Sequence, residues 1–332
     1  MTMPETHALP LADLYAKHRG FLWSLCYRMV GSAADAEDVV HETFVRAIEH
    51  PPRRIDEPLR PWLAKVALNL ARDALRRRKR STYIGPWLPS PIETESALCE
   101  AVVVNQTALP VEAPGIPGEP PSHEPLTFEG RYDLIESVSF AFLLAVEALT
   151  PAQRAVLILC DVFDYTVKET AAALDMSAAN VKTTHHRARR ALRDYDAHRR
   201  LPTSAQPEAT RNALATFLRA LEAQDVPAVE ALLARDVKLT TDGGGEFTAA
   251  LRTVVGRENV ARFFLRAAHR TGTARVRLTT LNYAAGIVID VPAAADRQAP
   301  RFTLSLELNG EAQISHIYMV SASRKLSALS ET

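Results

Sequence analysis

The sequence predicts a multidomain protein in which two all-α helical domains precede an α+β domain with a curved, largely antiparallel sheet. Apolar residues recur at helical spacing over two separate stretches, 11–80 and 131–200. An acidic, proline-rich stretch separates them. Beyond residue 210, helical patterns give way to alternating or apolar stretches with turn residues between them, an order typical of α+β domains.

These changes of pattern define the predicted domain boundaries. The first helical domain covers residues 1–82 and the second covers 131–200. A linker covers 83–130, and a short linker at 201–209 precedes the α+β domain at 210–332. With 332 residues, the chain is long enough to build several cores.

Three helices are predicted in the first domain. Ser32 is a plausible N-cap between the first two, because its hydroxyl can accept a hydrogen bond from a free backbone amide. The third helix begins after Pro61 and ends in a run of cations at 76–80, which is favourable at the negative end of a helix dipole. A run of cations is often only a solvated surface, so it does not establish a binding site by itself.

The linker is too rich in proline for a continuous helix. Residues 83–133, the linker and the start of the next domain, contain eight acidic residues, nine prolines and only one basic residue, Arg131. We therefore predict that the linker is partly disordered or lies along a surface. Within it, IGPWLPSP places Trp87 and Leu88 between prolines, which indicates a stiff apolar docking segment, although an isolated linker tryptophan is the alternative.

Two short helices joined by a tight turn are predicted in the second domain. The first fits TVKETAAALD, and the second, capped by Ser177, fits MSAANVKTTHHRARRAL at 176–192. The second helix has one apolar face and an adjacent cationic face. This is the helix-turn-helix arrangement, whose second helix enters the DNA major groove. Asp175 stands where glycine is usual in the turn, and aspartate tolerates the left-handed conformation.

The overall charge is balanced, with 39 basic and 39 acidic residues, but the cations are concentrated locally. Residues 65–80 contain seven basic residues against Asp73, and residues 182–200 contain seven against Asp194 and Asp196. Two cationic patches on predicted helices are compatible with nucleic-acid binding even at zero net charge.

The cysteine pattern and the hydropathy indicate neither a metal-binding protein nor a secreted or membrane protein. Cys26, Cys99 and Cys160 form no metal-ligand pattern, which fits a reduced cytoplasmic setting. We predict no signal sequence, no membrane span and no cofactor. His185 and His186 are not expected to bind a metal, because neighbouring helical residues point about 100° apart and no cysteine or acid completes a site.

The two helical domains resemble domains two and four of the extracytoplasmic-function (ECF) sigma factors, the promoter-recognition subunits of bacterial RNA polymerase. SAADAEDVVHETFVRA at 32–47 is similar to the segment that docks on the polymerase clamp. PWLAKVALNLARDALRRRKR at 61–80 resembles the part that opens and reads the −10 element, and residues 149–193 resemble the −35 reader. The resemblance implies the RNA polymerase core, at its clamp and flap, and promoter DNA as partners.

The resemblance also implies roles for individual residues. Those for core binding are Asp35, Asp38 and Glu42. For the −10 element, Asn69 would capture a base, and the alternative is that its side-chain amide only hydrogen-bonds to a neighbouring residue of the helix. The residues implied for the nearby phosphates are Arg72, Arg76 and Arg77. His185 departs from the leucine common at its position. The residues implied for −35 bases and nearby phosphates are Lys182, Thr183, His186 and Arg187, with Arg189 and Arg190 on phosphates.

The third domain resembles the SnoaL-like extension of one subgroup of these sigma factors, a cone of curved sheet and helices. The subgroup carries a Trp-Leu-Pro-Glu-Pro linker motif, an Asp-Gly-Gly-Gly-Lys turn and an Asn-Pro-Asp-Lys motif. Here they read WLPSP at 87–91, DGGGE at 242–246 and ASRK at 322–325. The resemblance implies a regulatory contact between domains, made by Trp87, Leu88, Pro89, Asp242, Gly243, Gly244 and Gly245.

Other functions stay open at this point. SnoaL-like folds also host cyclases and isomerases, but no acid-base pair is recognisable by spacing, so we predict no enzyme; the candidate residues are Asp242, His269, Tyr283, Asp290, His316 and Tyr318. A small ligand in the cone is a further alternative. A DNA-binding regulator that senses a ligand and never touches polymerase would explain the helix-turn-helix, but not residues 32–80.

Overall fold

The computed structural model describes residues 11–51, 59–80, 82–94, 132–199, 206–271, 274–292, 294 and 296–330. The first three helices are α1 (Leu11–Val30), α2 (Ala33–Glu49) and α3 (Leu59–Arg80). Ser32 caps α2 as predicted, since its side chain accepts from the backbone amide of Asp35. Helix α3 begins at Leu59, not after Pro61 as predicted, because a proline in the first turn removes no hydrogen bond that the helix needs.

Five further helices and two 3₁₀ turns form the described part of the second helical domain. Two short 3₁₀ helices, Glu136–Val138 and Val146–Ala148, flank α4 (Phe140–Ala145). The others are α5 (Pro151–Asp161), α6 (Val167–Leu174), α7 (Ala178–Ala191) and α8 (Arg193–His198). Helices α6 and α7 are the predicted helix-turn-helix. Its turn residue Asp175 has the left-handed conformation, with φ 52° and ψ 48°.

The third domain combines helices with one six-stranded sheet. Its elements are α9 (Gln206–Glu222), α10 (Val226–Leu232), β1 (Leu233–Asp242), β2 (Val254–Val255), α11 (Arg257–Thr271), β3 (Arg275–Leu281), β4 (Ala284–Asp290), β5 (Arg301–Leu308) and β6 (Ile314–Val320). The strand order is β2-β1-β6-β5-β4-β3. Strands β1 and β6 pair in parallel and the other neighbours pair antiparallel, which confirms the predicted largely antiparallel α+β fold. Helix α9 begins inside the predicted linker 201–209.

The two faces of the sheet have different neighbours. One face packs against α9 and α11, with Ile287, Leu304 and Ile317 beside Phe217 and Phe264. The other face carries a second cluster that includes Leu88 of the linker and Phe140 of α4; its further members are Leu281, Val288, Tyr318, Val320, Leu326 and Leu329. The third domain therefore packs against the helical part through the face of its sheet that points away from α9 and α11.

The two helical domains do not have separate cores in this structure. A single apolar cluster extends from Leu22 and Leu68 in the first domain to Phe142, Val156 and Leu159 in the second. Opening this arrangement would expose apolar surface, so the two domains are held together by the same effect that folds each of them.

The predicted linker is described only as far as residue 94, and most of the acidic stretch lies outside the described residues. Its described part follows the groove between domains. Leu88, Pro89 and Ser90 are buried, and Thr94 donates its backbone amide to Thr280 O at 3.0 Å. No helix in the described ranges has the length and hydropathy to cross a membrane.

Candidate nucleic-acid interface and interdomain contacts

Helix α7 presents polar and cationic side chains to solvent. Its buried face contains Val181 and Ala188, with Leu192 as the C-cap. The opposite side exposes five of the side chains predicted to contact the −35 element, namely Lys182, Thr183, His186, Arg187 and Arg190. Within the described chain no ion pair engages Lys182, Arg187 or Arg190, so this face can accept phosphates and base edges.

Arg189 does not belong to this solvent-facing group. Its Nε and Nη2 both lie 3.0 Å from the carboxylate oxygens of Asp161, which is only 1% exposed. His185 Nε2 lies 2.9 Å from the same carboxylate. Burial lowers the pKa of Arg189, but the hydrogen bond and the charge of Asp161 outweigh it and raise that pKa. The structure thus engages Arg189 with protein, whereas the resemblance implies a phosphate contact.

The predicted −10 residues lie together on α3. Arg72 Nη1 is 3.5 Å from Asn69 Oδ1, and Arg76 pairs with Asp73 at 2.9 Å. Arg77 is exposed. Next to them, Lys65 Nζ lies 2.6 Å from Asp175 Oδ1, which connects α3 directly to the turn between α6 and α7.

Two of the three predicted core-binding acids of α2, Asp35 and Asp38, contact the third domain. Arg324 Nη2 lies 2.9 Å from Asp35 Oδ1 and 2.6 Å from Asp38 Oδ2. Glu42 pairs with Arg46 on the same helix. Between α2, α3 and the segment around Arg324 there is a cleft of about 770 Å³. Residues of the third domain therefore occupy part of the surface that the resemblance assigns to the polymerase.

Asp242 is the centre of the contact between the linker and the third domain. Its Oδ1 accepts hydrogen bonds from Tyr83 Oη at 2.6 Å and from the Gly244 amide at 3.0 Å. Its Oδ2 accepts from the Leu88 amide at 2.7 Å and pairs with Lys325 Nζ at 2.5 Å. The structure thus brings together linker and turn residues that the resemblance grouped as a regulatory contact.

Lys325 joins this contact from the end of the chain. Its ammonium also donates to Leu88 O and lies 4.4 Å from the Trp87 ring centroid. Burial lowers the pKa of Lys325 to about 8 although Asp242 acts in the opposite direction.

The glycines of the turn allow the close approach of other segments. Gly244 has φ 60° and Gly245 has φ 79°. A Cβ atom at Gly244 would lie 2.8 Å from Ala322 Cβ, and one at Gly245 would lie 3.0 Å from Ile84 Cδ1. Gly243 is equally confined, because its Cβ would meet Phe247 O at 2.8 Å. A side chain at Gly245 would push the linker away, and a side chain at Gly244 would push away the segment that contains Ala322.

Sequence reasoning missed several residues of the interdomain contacts. Asn282, at the β3–β4 turn, donates to Tyr27 Oη at 2.8 Å and to Val138 O at 2.7 Å, and it accepts from the Ile92 amide at 3.0 Å. An asparagine between two strands indicates a hairpin turn, but that signal says nothing about distant partners. Arg324 and Lys325 belong to the ASRK segment, so their position in the motif was a usable signal.

Most of the residues considered for catalysis lie at separate places, but His316 and Tyr318 are neighbours, with ring centroids 6.1 Å apart. Asp290 pairs with Arg301 at 2.6 Å, and Tyr283 occupies the β3–β4 turn with φ 61°. Tyr318 donates to Glu307 at 3.2 Å and stacks on Phe140. His316 Nδ1 lies 3.7 Å from Glu307 Oε2 on the same sheet face, Asp242 is engaged as described above, and the side chain of His269 lies outside the described residues.

Comparisons with known proteins find family models that match the two helical domains. Residues 14–81 match the family model "Sigma-70 region 2", and residues 139–192 match "Sigma-70, region 4". The ECF RNA polymerase sigma factor SigJ of Mycobacterium tuberculosis is 32% identical over 257 residues, covering 76% of this chain and 72% of SigJ. The chain belongs to the ECF RNA polymerase sigma factors. It is thus an alternative sigma factor, which binds core RNA polymerase and promoter DNA to direct transcription initiation.

Two further matches define the extent of the likeness. SigG of the same organism is 35% identical over 213 residues, covering 63% of this sigma factor but only 55% of SigG. The crystal structure of M. tuberculosis SigJ aligns with a TM-score of 0.68 at 24% identity, covering 96% of this chain and 99% of that one. Because this alignment includes the third domain, it supports the SnoaL-like fold of the extension.

Proposed function

We propose that this sigma factor reads the −35 element with α7 and the −10 element with α3, and that the free protein is held in a closed form by its third domain. The closed form is supported by the 2.6 Å contact of Lys65 on α3 with Asp175 beside α7. The role of the third domain is supported by Asn282, which donates to Tyr27 Oη in the first helical domain and to Val138 O in the second. Centres of the two promoter elements are about 25 base pairs apart, or about 85 Å along the duplex. The two helices must separate to read both elements at once.

The sigma assignment is tested by run-off transcription with bacterial core polymerase on a pooled promoter library. The full chain should produce transcripts from one defined pair of −35 and −10 sequences. Arg187→Ala should weaken selection at the −35 position, since each base contact contributes about 1–3 kcal/mol of discrimination. A protein that binds core polymerase but selects no common pair would contradict the proposed roles of α3 and α7.

The third domain is proposed to restrain polymerase binding through Arg324. Replacing Arg324 with alanine should tighten binding to core polymerase by up to about fivefold, because the exposed pairs it breaks contribute at most about 1 kcal/mol. Asp35 and Asp38 would then be available to the clamp. The measurement is an anisotropy titration of the labelled full chain with core polymerase.

The control for this variant is Arg235→Ala, which removes an exposed arginine from β1 of the same domain. Equal affinities for Arg324→Ala, Arg235→Ala and the unmodified chain would contradict the restraint. Weaker binding by Arg324→Ala would instead show that the third domain assists docking on polymerase.

The extension is proposed to act through contacts between domains and not through catalysis. Two of the described candidates are engaged in such contacts, Asp242 with Tyr83 and Leu88 of the linker and Tyr318 with Phe140 of α4. The face of the sheet under α9 and α11 is filled by apolar side chains. We therefore propose no substrate for the domain, and we expect the protein in the cytoplasm, where its polymerase partner acts.

A further inference from the structure

The side chains of α7 fall into two polar rows with different surroundings. At about 100° per residue, Lys182, His186 and Arg190 share the outward row. His185 and Arg189, four residues apart, lie between that row and the buried face of the helix. Lys182, His186 and Arg190 are exposed, whereas His185 is 17% exposed and Arg189 is 35% exposed.

The inner row is held by a carboxylate from another helix. Asp161 ends α5, and its side chain is almost fully buried. Its Oδ2 accepts from Arg189 Nε, and its Oδ1 accepts from Arg189 Nη2 and lies within hydrogen-bond distance of His185 Nε2. A two-point contact of this kind fixes the direction of a guanidinium group more firmly than a single contact does.

We infer that Asp161 is a positioning residue for −35 recognition, which withholds His185 and Arg189 from DNA so that only the outward row enters the groove. The inference rests on the proposed role of α7. If Arg189 moved to a phosphate, the buried Asp161 carboxylate would lose its partner Arg189. A buried carboxylate that loses its counter-charge is strongly destabilising. The outward row incurs no such cost, because no ion pair within the described ranges engages Lys182 or Arg190.

The salt dependence of DNA binding measures this difference. A plot of log K against log salt concentration has a negative slope, and each phosphate that the protein neutralises on duplex DNA adds about 0.9 to the magnitude of that slope. All changes in slope below are changes in this magnitude. A 20-base-pair duplex of random sequence is a suitable probe, since it reports phosphate contacts without knowledge of the promoter. The outward row is exposed in the full chain, so the probe does not require the domains to open.

The first test compares two single variants of the full chain in a KCl series. Arg189→Gln should leave the slope unchanged, whereas Arg190→Gln, in the outward row, should reduce its magnitude by about 0.9. A decrease of about 0.9 for Arg189→Gln would overturn the inference. If Arg190→Gln also leaves the slope unchanged, the outward row does not enter the groove as inferred, and the proposed −35 role of α7 fails together with the inference.

The second test releases Arg189 deliberately. Asp161→Asn should increase the slope by about 0.9, and adding Arg189→Gln to it should restore the original value. Asp194→Asn, which removes an exposed acid from α8, is the control for the change in net charge. A folded Asp161→Asn protein with an unchanged slope, or with an increase that persists in the double variant, would overturn the inference. If Asp161→Asn does not fold, the Arg189→Gln comparison still decides.

Discussion

Replacing Glu147 with alanine is expected to lower the free energy of unfolding of the helical part by about 3 kcal/mol. Glu147 pairs with Arg154 at 2.7 Å and with Arg78 at 2.5 Å. Arg154 is 1% exposed, and it also donates to Met29 O across the boundary between the two helical domains. Without the carboxylate a buried guanidinium would lose its counter-charge. The value is at the lower end for buried pairs because Glu147 itself is 26% exposed.

Urea unfolding followed by tryptophan fluorescence measures this effect, because the chain's three tryptophans, Trp23, Trp62 and Trp87, all precede the third domain. Asp73→Ala is the control. It breaks a pair with Arg76 in which both side chains are about half exposed, so the expected change is below about 1 kcal/mol. Equal effects of Glu147→Ala and Asp73→Ala would contradict the assignment of Glu147 to a stabilising interdomain network.

The same carboxylate predicts a pH dependence for the unmodified protein. Burial raises the pKa of Glu147, but the charges and hydrogen bonds of Arg154 and Arg78 have the larger, opposite effect. The pKa of Glu147 is therefore below its ordinary value of 4.5. A group with a depressed pKa stabilises the folded state above its unfolded pKa. This contribution is therefore complete above about pH 4.5 and is lost as the pH falls through the folded value. Glu147→Gln should remove that part of the acid sensitivity.

Asn282→Ala is expected to destabilise the contact of the third domain with the linker and both helical domains by about 3 kcal/mol. The buried amide group joins four segments of the chain, through Tyr27, Ile92 and Val138 and its own hairpin turn. Its removal leaves three buried groups without this partner, and alanine is less favourable than asparagine at φ 51°. Hydrogen exchange at the Ser90 amide, which donates to Gly31 O, should accelerate by up to about 100-fold.

Asn309→Ala is the matched control for Asn282→Ala. Asn309 also occupies a turn between strands of the third domain, but its Oδ1 accepts from the nearby amides of Glu311 and Gln313. Its loss should leave exchange at Ser90 unchanged. If Asn282→Ala is folded and protects Ser90 as well as Asn309→Ala does, Asn282 does not hold the closed form.

Local elements were predictable because their signals are local. Ser32 and Ser177 cap the predicted helices, and Asp175 takes the left-handed conformation that the turn requires. The order of helices and strands in the third domain followed from a change of hydrophobic period. A cationic face beside the apolar face of α7 was predicted for the same reason, since residues four apart on a helix share a face.

Pairings between distant residues could not be read from such patterns. The resemblance assigned Arg189 to DNA, but the structure pairs it with Asp161, 28 residues earlier. The ASRK segment looked like a weakened motif, whereas its arginine contacts Asp35, 289 residues away. A charge pattern indicates that a residue seeks a counter-charge, but it does not say which one.

By itself, the sequence determined which segments are helices and strands, which segments resemble sigma factor regions, and which face of α7 is cationic. Only the tertiary structure decided which charges are already engaged and that the two helical domains share one core. The physical reason is range. Capping and hydrophobic periodicity act within a few residues, whereas burial and ion pairing depend on which distant segments the completed fold brings together.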